Sequence, residues 1–235
     1  MGLFGGYGLR AAFALSKLGE RVGSDALIYN PGVFWHFHGM AKANAPPFAD
    51  ELLSFAPDTR SIADVGCGSG AYAAEFNRRG LHVWAGEYAA TGRWLAHRQG
   101  LTPHRFDVTD PSTHPGKTFD LAYSIEVAEH LPDALADRFV GFLVRMSGLL
   151  VVTAAVPGQG GHGHINEQPP STGSPSSRPR ASPSTLKILL ASARRSASEA
   201  SARFSAIISW SFAVSPPLDS HSPMDSSKSR YCSRV

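Results

Sequence analysis

Short apolar runs alternate with segments of helical spacing between residues 62 and 156. The apolar runs predict strands over 62–65, 81–86, 103–106, 119–125 and 148–156. The intervening segments predict helices near 71–79, 90–98 and 133–146. Alternating strands and helices are typical of a parallel sheet with helices on both faces. We therefore expect an α/β protein whose strands end at one common edge, where ligands bind in such sheets.

Residues 1–57 are predicted to form an N-terminal helical cap. Leu9 to Leu18 has helical spacing, Tyr29 to Gly32 carries a turn signal, and Phe48 to Phe55 predicts a short helix. The intervening segment, Val33 to His38, is aromatic and allows two interpretations. In the first, the segment lines a substrate pocket through Tyr29, Trp35, His36 and His38. In the second, it packs the cap against the sheet through Phe34, Trp35 and Phe37. Large aromatic side chains are usually buried, which favours packing.

Charge is unevenly distributed along the chain. The whole sequence carries 22 Lys and Arg against 19 Asp and Glu, but residues 171–235 hold 9 of the former and 3 of the latter. Residues 1–170 therefore hold 13 basic and 16 acidic residues, a net charge of −3. This balance gives no reason to expect nucleic-acid binding by the folded part.

The remaining composition indicates a cytoplasmic protein without a membrane span. No apolar run approaches the length that crosses a bilayer. The two cysteines, Cys67 and Cys232, do not form a disulfide framework. The sequence gives no indication of oligomeric state.

The strongest local pattern is the glycine-rich stretch that follows the first predicted strand. It runs Asp64-x-Gly66-x-Gly68-x-Gly70, and a helix is predicted to begin directly after it. A strand, a glycine-rich turn and a helix form a cradle for nucleotide-like ligands, because glycine lets the backbone approach the ligand closely. Cys67 lies inside this turn, where a small turn residue is favoured over a catalytic thiol.

Acidic residues follow the next three strands as well. Glu87 ends the second strand at a spacing suited to the acid that accepts ribose hydroxyls. Asp107 and Val108 follow the third strand. We expect Asp107 to accept a hydrogen bond from an adenine amino group and Val108 to pack on the adenine ring. Glu126 follows the fourth strand. Each assignment has a structural alternative. Glu87 would be a solvated helix cap, and Asp107 would cap a turn.

Two motifs resemble a known family. The Asp64–Gly70 pattern resembles motif I of the class I S-adenosylmethionine (SAM)-dependent methyltransferases, and the run Glu126-Val-Ala-Glu-His-Leu-Pro resembles the segment after strand 4 in their types 11 and 23. The segment Gly163-His164-Ile165-Asn166 resembles their substrate-side loop. The resemblance, over residues 58–170, implies a Rossmann-like sheet, SAM as methyl donor and a small-molecule acceptor. It places the cofactor contacts at Asp64, Gly66, Cys67, Gly68, Gly70, Glu87, Tyr88, Asp107, Val108 and Glu126.

Methyl transfer requires little beyond alignment, so no dedicated catalytic residue is needed. A proton-bearing acceptor benefits from a base, and His164 and then His130 are the candidates. His130 is otherwise expected to brace the turn before Pro132. His162 and His164 lack further ligands in the sequence, so we predict no metal site.

Two other functions compete with methyl transfer. Gly66-x-Gly68-x-x-Ala71 also fits a degenerate dinucleotide fingerprint, which gives an NAD-dependent oxidoreductase as one alternative. A catalytically dead SAM-binding protein is the other, because the sequence changes abruptly after Pro170.

Residues 171–235 form an atypical tail rich in Ser, Arg and Pro. The strands that complete the sheet in the family are expected here and are atypical or missing. A helix over 186–203 and a strand over 204–214 are the only ordered elements that the pattern suggests. A shifted reading frame, disorder and a natural divergent tail remain alternative interpretations.

Overall fold

The structure, a computed structural model, describes residues 6–168. It contains a sheet of five strands: β1 (Ser61–Val65), β2 (His82–Glu87), β3 (His104–Arg105), β4 (Leu121–Ile125) and β5 (Leu150–Thr153). The strand order is β3-β2-β1-β4-β5, and every pairing is parallel. The expected α/β fold with a parallel sheet is confirmed, and all five strands point their carboxyl ends to one edge.

Three strands are shorter than predicted, and β4 is one of them, since it begins at Leu121 rather than at residue 119. Pro103 lacks an N–H group and does not join the ladder, so β3 begins at His104. β5 begins only at Leu150, because the backbone N–H of Leu149 donates to the Ser147 hydroxyl in the turn after the preceding helix. β5 ends at Thr153, three residues before the predicted end.

The helices after β1 connect successive strands as right-handed crossovers require. They are α4 (Ala71–Arg78), α5 (Ala90–Arg98) and α6 (Ala136–Met146). Single 3₁₀ turns cover Pro111–Thr113, Ala128–His130 and Asp133–Leu135. The last of these forms the beginning of the helix predicted at 133–146.

Helices cover both faces of the sheet, as predicted, and strand periodicity decides which residue meets which helix. Ile62 of β1 lies in a cluster with residues of the N-terminal helices and α4. Its neighbours Ala63 and Val65 lie in the cluster on the opposite face, which contains Phe139 and Phe142 of α6. The central strand is buried on both sides, which explains its continuous apolar run.

The N-terminal residues form three helices, α1 (Gly6–Val22), α2 (Asp25–Ile28) and α3 (Pro31–Phe55). The helical spacing over Leu9–Leu18 is confirmed within α1. The predicted turn at Tyr29–Gly32 is instead the start of α3: Asn30 caps the helix by accepting from the N–H groups of Gly32 and Val33, and Pro31 occupies its first turn.

The short helix predicted at Phe48–Phe55 is the last part of α3. This helix continues through Pro46 and Pro47, although proline lacks an N–H group and disfavours the interior of a helix. Phe48, Ala49 and Leu52 pack in the same cluster as Ile62 and Phe76. Tertiary packing of this half of the helix therefore offsets the two prolines.

The aromatic segment 33–38 does not pack as a unit against the sheet. Trp35 is 54% exposed and Phe37 is 43% exposed, so the expectation of core packing is wrong for these two residues. His38 is buried, and its Nδ1 lies 2.9 Å from Ser69 Oγ in the glycine-rich turn. The start of α3 thus lies over that turn.

The predicted tail elements at 186–203 and 204–214 fall outside the described residues. Within residues 6–168, no helix is both long and apolar enough to cross a bilayer.

Candidate active site

The glycine-rich turn after β1 requires glycine for two separate reasons. Gly66 and Gly70 have φ of +81° and +77°, in the left-handed region that favours glycine. A Cβ on Gly66 would lie 2.4 Å from Val127 Cγ2, and one on Gly70 would lie 2.7 Å from Ala96 Cβ. The turn is therefore pressed between α5 and the segment after β4, and it is further fixed by the N–H groups of Gly66 and Cys67, which donate to Gly86 O.

Glu87, at the end of β2, binds the same turn from the other side. One carboxylate oxygen accepts from the Gly68 N–H at 2.7 Å, and the other accepts from the Ala89 N–H at 2.7 Å. Burial raises the pKa of Glu87, and these two backbone N–H groups offset part of the rise. Each carboxylate oxygen retains a second acceptor site for a ligand hydroxyl. Glu87 is buried, so the expectation of a solvated cap is wrong, although its bond from the Ala89 N–H leaves a capping role compatible with ribose binding.

Asp64 is buried between β1 and β4, where the Tyr123 hydroxyl donates to its Oδ2 at 2.8 Å. Burial raises the pKa of Asp64 to about 8, although the bond from Tyr123 works in the opposite direction. Asp64 and Glu87 thus have different hydrogen-bond donors: the Tyr123 hydroxyl donates to Asp64, and two backbone N–H groups donate to Glu87. The sequence analysis missed Tyr123, although a polar side chain inside an apolar strand is a usable signal.

Cys67 and Tyr88, the other two predicted contacts near this turn, have different surroundings. Cys67 is buried, and that burial raises the pKa of its thiol well above the usual value, so the group is not prepared as a nucleophile. Tyr88 is 47% exposed, and its hydroxyl donates to Asp25 Oδ2 at 2.9 Å. Tyr88 therefore links the end of β2 to the N-terminal helices.

At the end of β3, Asp107 and Val108 are already engaged with the protein. Asp107 accepts from the N–H and hydroxyl of Thr109 and pairs with Arg105 at 3.0 Å. Partial burial acts to raise the pKa of Asp107, but the Thr109 bonds and the Arg105 charge lower it overall. Val108 is buried in the hydrophobic cluster. Asp107 thus has the geometry of the turn cap given above as its alternative role.

Glu126 follows β4 in an unusual backbone conformation. Its φ of +54° is the only positive value at a non-glycine residue in the described range. Its N–H donates to the backbone and side-chain oxygens of Thr153 at the end of β5. This conformation directs the following residues back along the edge, so that Val127 reaches Gly66.

The two predicted bases, His130 and His164, lie together, with ring centroids 5.2 Å apart. His130 Nδ1 lies 3.0 Å from Gly163 O, and His164 Nδ1 lies 3.0 Å from Glu167 Oε1. Burial lowers the pKa of His130 to about 4. His130 therefore braces the loop after β5, rather than only the turn before Pro132.

The same pair encloses Glu129, which the sequence analysis quoted without assigning a role. Glu129 has no exposed surface, and burial raises the pKa of its carboxyl group, with a further contribution from the Glu126 charge. Its backbone oxygen accepts from Ile165 and Asn166. His162 is turned away: its Nε2 lies 2.6 Å from Ser16 Oγ, so His162 and His164 are not a ligand pair.

Comparison with known proteins finds a similar family over part of the chain. Residues 37–151, just under half of the chain, match a family model described as a methyltransferase domain. A search of curated proteins returned no match.

Several solved structures are similar to part of the chain. CalS10, an amino pentose methyltransferase from Micromonospora echinaspora, has 27% identity and a TM-score of 0.45, with 50% of this chain and 52% of that one covered. The sugar N-methyltransferase KedS8 from Streptoalloteichus sp ATCC 53650 has 26% identity and a TM-score of 0.47, with 57% of each chain covered. The present chain spans between half and three fifths of the length of these two proteins.

The parallel sheet and the glycine-rich turn lie within or next to the matched segment. Residues 37–151 are thus similar to a methyltransferase domain.

Proposed function

We propose that the chain binds SAM at the edge formed by Asp64, the turn Gly66–Gly70 and Glu87, and transfers its methyl group to a small-molecule acceptor. The observation that carries the proposal is the turn itself. Its left-handed glycines and buried acids stand at the carboxyl edge of a parallel sheet, within the segment that matches a methyltransferase domain. Nucleotide-like ligands bind at this position in α/β sheets.

The other predicted cofactor contacts differ in how freely their side chains can reach a ligand. Glu87 has free acceptor sites for ribose hydroxyls, and the Gly68 N–H fixes one of its carboxylate oxygens at the turn. Asp107 and Val108 require rearrangement before they contact an adenine, since both are already engaged. Tyr88 and Glu126 are exposed and close to the edge.

SAM supplies an activated methyl group on a sulfonium when it is bound. The chain then has to hold an acceptor in line with that group, which is mainly a problem of position. The start of α3 and the loop after β5 lie at the carboxyl edge, since His38 contacts Ser69 and His130 contacts Gly163 O. We place the acceptor between them. The acidic balance of residues 1–170 favours a small molecule over a nucleic acid.

The direct test is calorimetric titration of the folded full-length chain with S-adenosylhomocysteine, with NAD as the parallel ligand. We expect S-adenosylhomocysteine to bind and NAD not to bind. NAD binding alone would instead support the dinucleotide alternative. Release of S-adenosylhomocysteine from SAM across a panel of phenols, carboxylic acids and amino sugars then tests turnover; binding without turnover on any acceptor favours the catalytically dead alternative.

A variant pair makes the binding test specific. Glu87→Gln replaces an oxygen that accepts a backbone N–H by an amide that donates, so we expect affinity to fall by about 10- to 100-fold, the equivalent of roughly 1.5–3 kcal/mol. Asp120→Asn is the matched control, because Asp120 accepts from Arg60 and Ser61 at the opposite edge of the sheet. Equal affinity loss in both variants, or in neither, contradicts the assigned edge.

A further inference from the structure

The Glu129 carboxyl group is buried, and its titratable neighbours include Glu126 and His164. Its side chain is fully buried, and no N–H or O–H group within residues 6–168 is in hydrogen-bonding geometry with either oxygen. His164 Nε2 lies 4.0 Å from Oε1, beyond hydrogen-bond distance. A buried carboxylate in this condition is costly unless it is paired or coordinates a metal. A cation bound at this position removes the cost of burying the ionised form.

The two neighbouring imidazoles are oriented as metal ligands are. Gly163 O and the Glu167 carboxylate only accept hydrogen bonds, so the Nδ1 atoms of His130 and His164 donate to them. The Nε2 atom of each ring then carries the free lone pair. A carbonyl or carboxylate that fixes the outer nitrogen is the usual support of a metal-bound histidine.

The three side chains also converge. One ligand atom from each of Glu129, His130 and His164 can be chosen so that all three lie within 4.8 Å of one another. Two ligands on one tetrahedral ion at about 2.1 Å are roughly 3.4 Å apart, so side-chain movement on the order of 1 Å closes the set. Glu126 adds negative charge next to Glu129, which favours a cation.

We propose that Glu129, His130 and His164 bind one divalent first-row transition metal ion. Two imidazole nitrogens and one carboxylate oxygen suit Zn²⁺, Fe²⁺ or Mn²⁺ better than Mg²⁺, which prefers oxygen ligands. This revises the prediction that no metal binds, which considered only His162 and His164. It also replaces the base role of His164, since one lone pair does not serve both functions. Metal binding does not depend on methyl transfer, although His130 and His164 lie beside the space proposed for the acceptor.

The test is metal binding by the full-length chain after removal of bound ions with a chelator. Calorimetry with Zn²⁺ and with Mn²⁺ should give about one equivalent, Mg²⁺ should bind more weakly, and Zn²⁺ should raise the melting temperature. The Co²⁺ complex, read by its visible absorption, should be displaced by Zn²⁺. Absence of a saturable site in the folded protein overturns the proposal.

Variants identify the ligands. Glu129→Gln, His130→Gln and His164→Gln should each weaken Zn²⁺ binding by more than roughly 100-fold, because outer-shell changes alone cost about 10- to 100-fold. Glu167→Gln should fall in that outer-shell range. His162→Gln is the matched control, since His162 lies in the same loop and contacts Ser16.

Unchanged Zn²⁺ affinity in Glu129→Gln and His164→Gln, or an equal loss in His162→Gln, overturns the ligand set. Circular dichroism establishes that each variant is folded. If Glu129→Gln does not fold, the comparison of His164→Gln with His162→Gln decides, because both substitutions lie in the same loop.

Discussion

At the scale of single residues, the glycine-rich turn is defined by steric exclusion. Gly66 and Gly70 combine a left-handed backbone with a neighbour less than 3 Å from any added Cβ. Gly100 has a similar φ of +81° but no neighbour within 4 Å. The three positions separate the effect of backbone conformation from the effect of packing.

Alanine substitution should follow this division. Gly100→Ala should lower the free energy of unfolding by about 1–2 kcal/mol, the cost of a left-handed non-glycine residue. Gly66→Ala and Gly70→Ala should each cost about 3 kcal/mol or more, because overpacking adds about 1–3 kcal/mol. Urea denaturation measures the free energy of unfolding of all three variants. An equal loss of stability in the three would show that the residues around the turn move to accommodate an added Cβ.

Asp64 gives the molecule a pH dependence of defined sign. Its ordinary pKa of 3.8 becomes about 8 in the folded chain, so the folded state holds a proton that the unfolded state has released between these values. Stability should therefore fall as pH rises from about 4 to 8, by at most about 1.4 kcal/mol per pH unit from this group. Asp64→Asn should reduce the slope of unfolding free energy against pH; Glu87 contributes with the same sign, so some slope remains.

Asp120 is the control for that measurement. Backbone N–H groups of Arg60 and Ser61 lower the pKa of Asp120 in the folded chain. Asp120 therefore contributes its full stabilisation of the fold at any pH above its pKa in the unfolded chain, and the contribution is lost only as pH falls below that pKa. Asp120→Asn should leave the slope between pH 4 and 8 unchanged. An unchanged slope in Asp64→Asn would show that Asp64 is ionised in the fold.

At the scale of elements, α3 combines two functions in one helix. Its end packs in the core through Phe48 and Leu52, while its start lies over the glycine-rich turn through Phe34 and His38. Asn30 sets the position of that start. Its side chain caps α3 and also donates through Nδ2 to Ala12 O and Leu27 O, so it joins all three N-terminal helices.

Substitutions at Asn30 distinguish capping from joining. Asn30→Ala should lower the free energy of unfolding by about 2–3 kcal/mol, since it removes a cap and leaves two buried carbonyls unpaired. Asn30→Asp should not restore stability, because a carboxylate keeps the cap but faces the two carbonyl oxygens. Ser24→Ala is the comparison, since Ser24 precedes α2 without a side-chain cap bond and should change stability by less than about 0.5 kcal/mol. Urea denaturation of the three variants decides, and full rescue by Asp contradicts the joining role.

At the scale of the whole molecule, the sequence predicted the features that depend on local periodicity. The buried strands and the helices between them follow from runs of residues that are adjacent in the chain, and parallel pairing then places Asp64, Glu87 and Glu126 at one edge. Asn30 and Pro31 were misread because the same residues begin turns and helices. The hydrogen bonds of Asn30 with Ala12 and Leu27 of the preceding helices favour the helix start, and the one to Ala12 joins segments 18 residues apart.

The side-chain arrangements that join distant segments were not predictable in the same way. Tyr123 reaches Asp64 across 59 residues, and His130 reaches Gly163 across 33. No spacing rule within one segment encodes such a contact. The surroundings of Glu129 likewise depend on how the loop after β5 folds back.

The central position of β1 has a consequence for folding kinetics. β1 appears early in the chain, but its partner β4 begins about sixty residues later, and both Tyr123 and Val127 must arrive before Asp64 and Gly66 reach their final surroundings. Closing such a long loop is entropically slow. The glycine-rich turn is thus completed late in folding, and a ligand that requires the completed turn stabilises the native state without stabilising earlier intermediates.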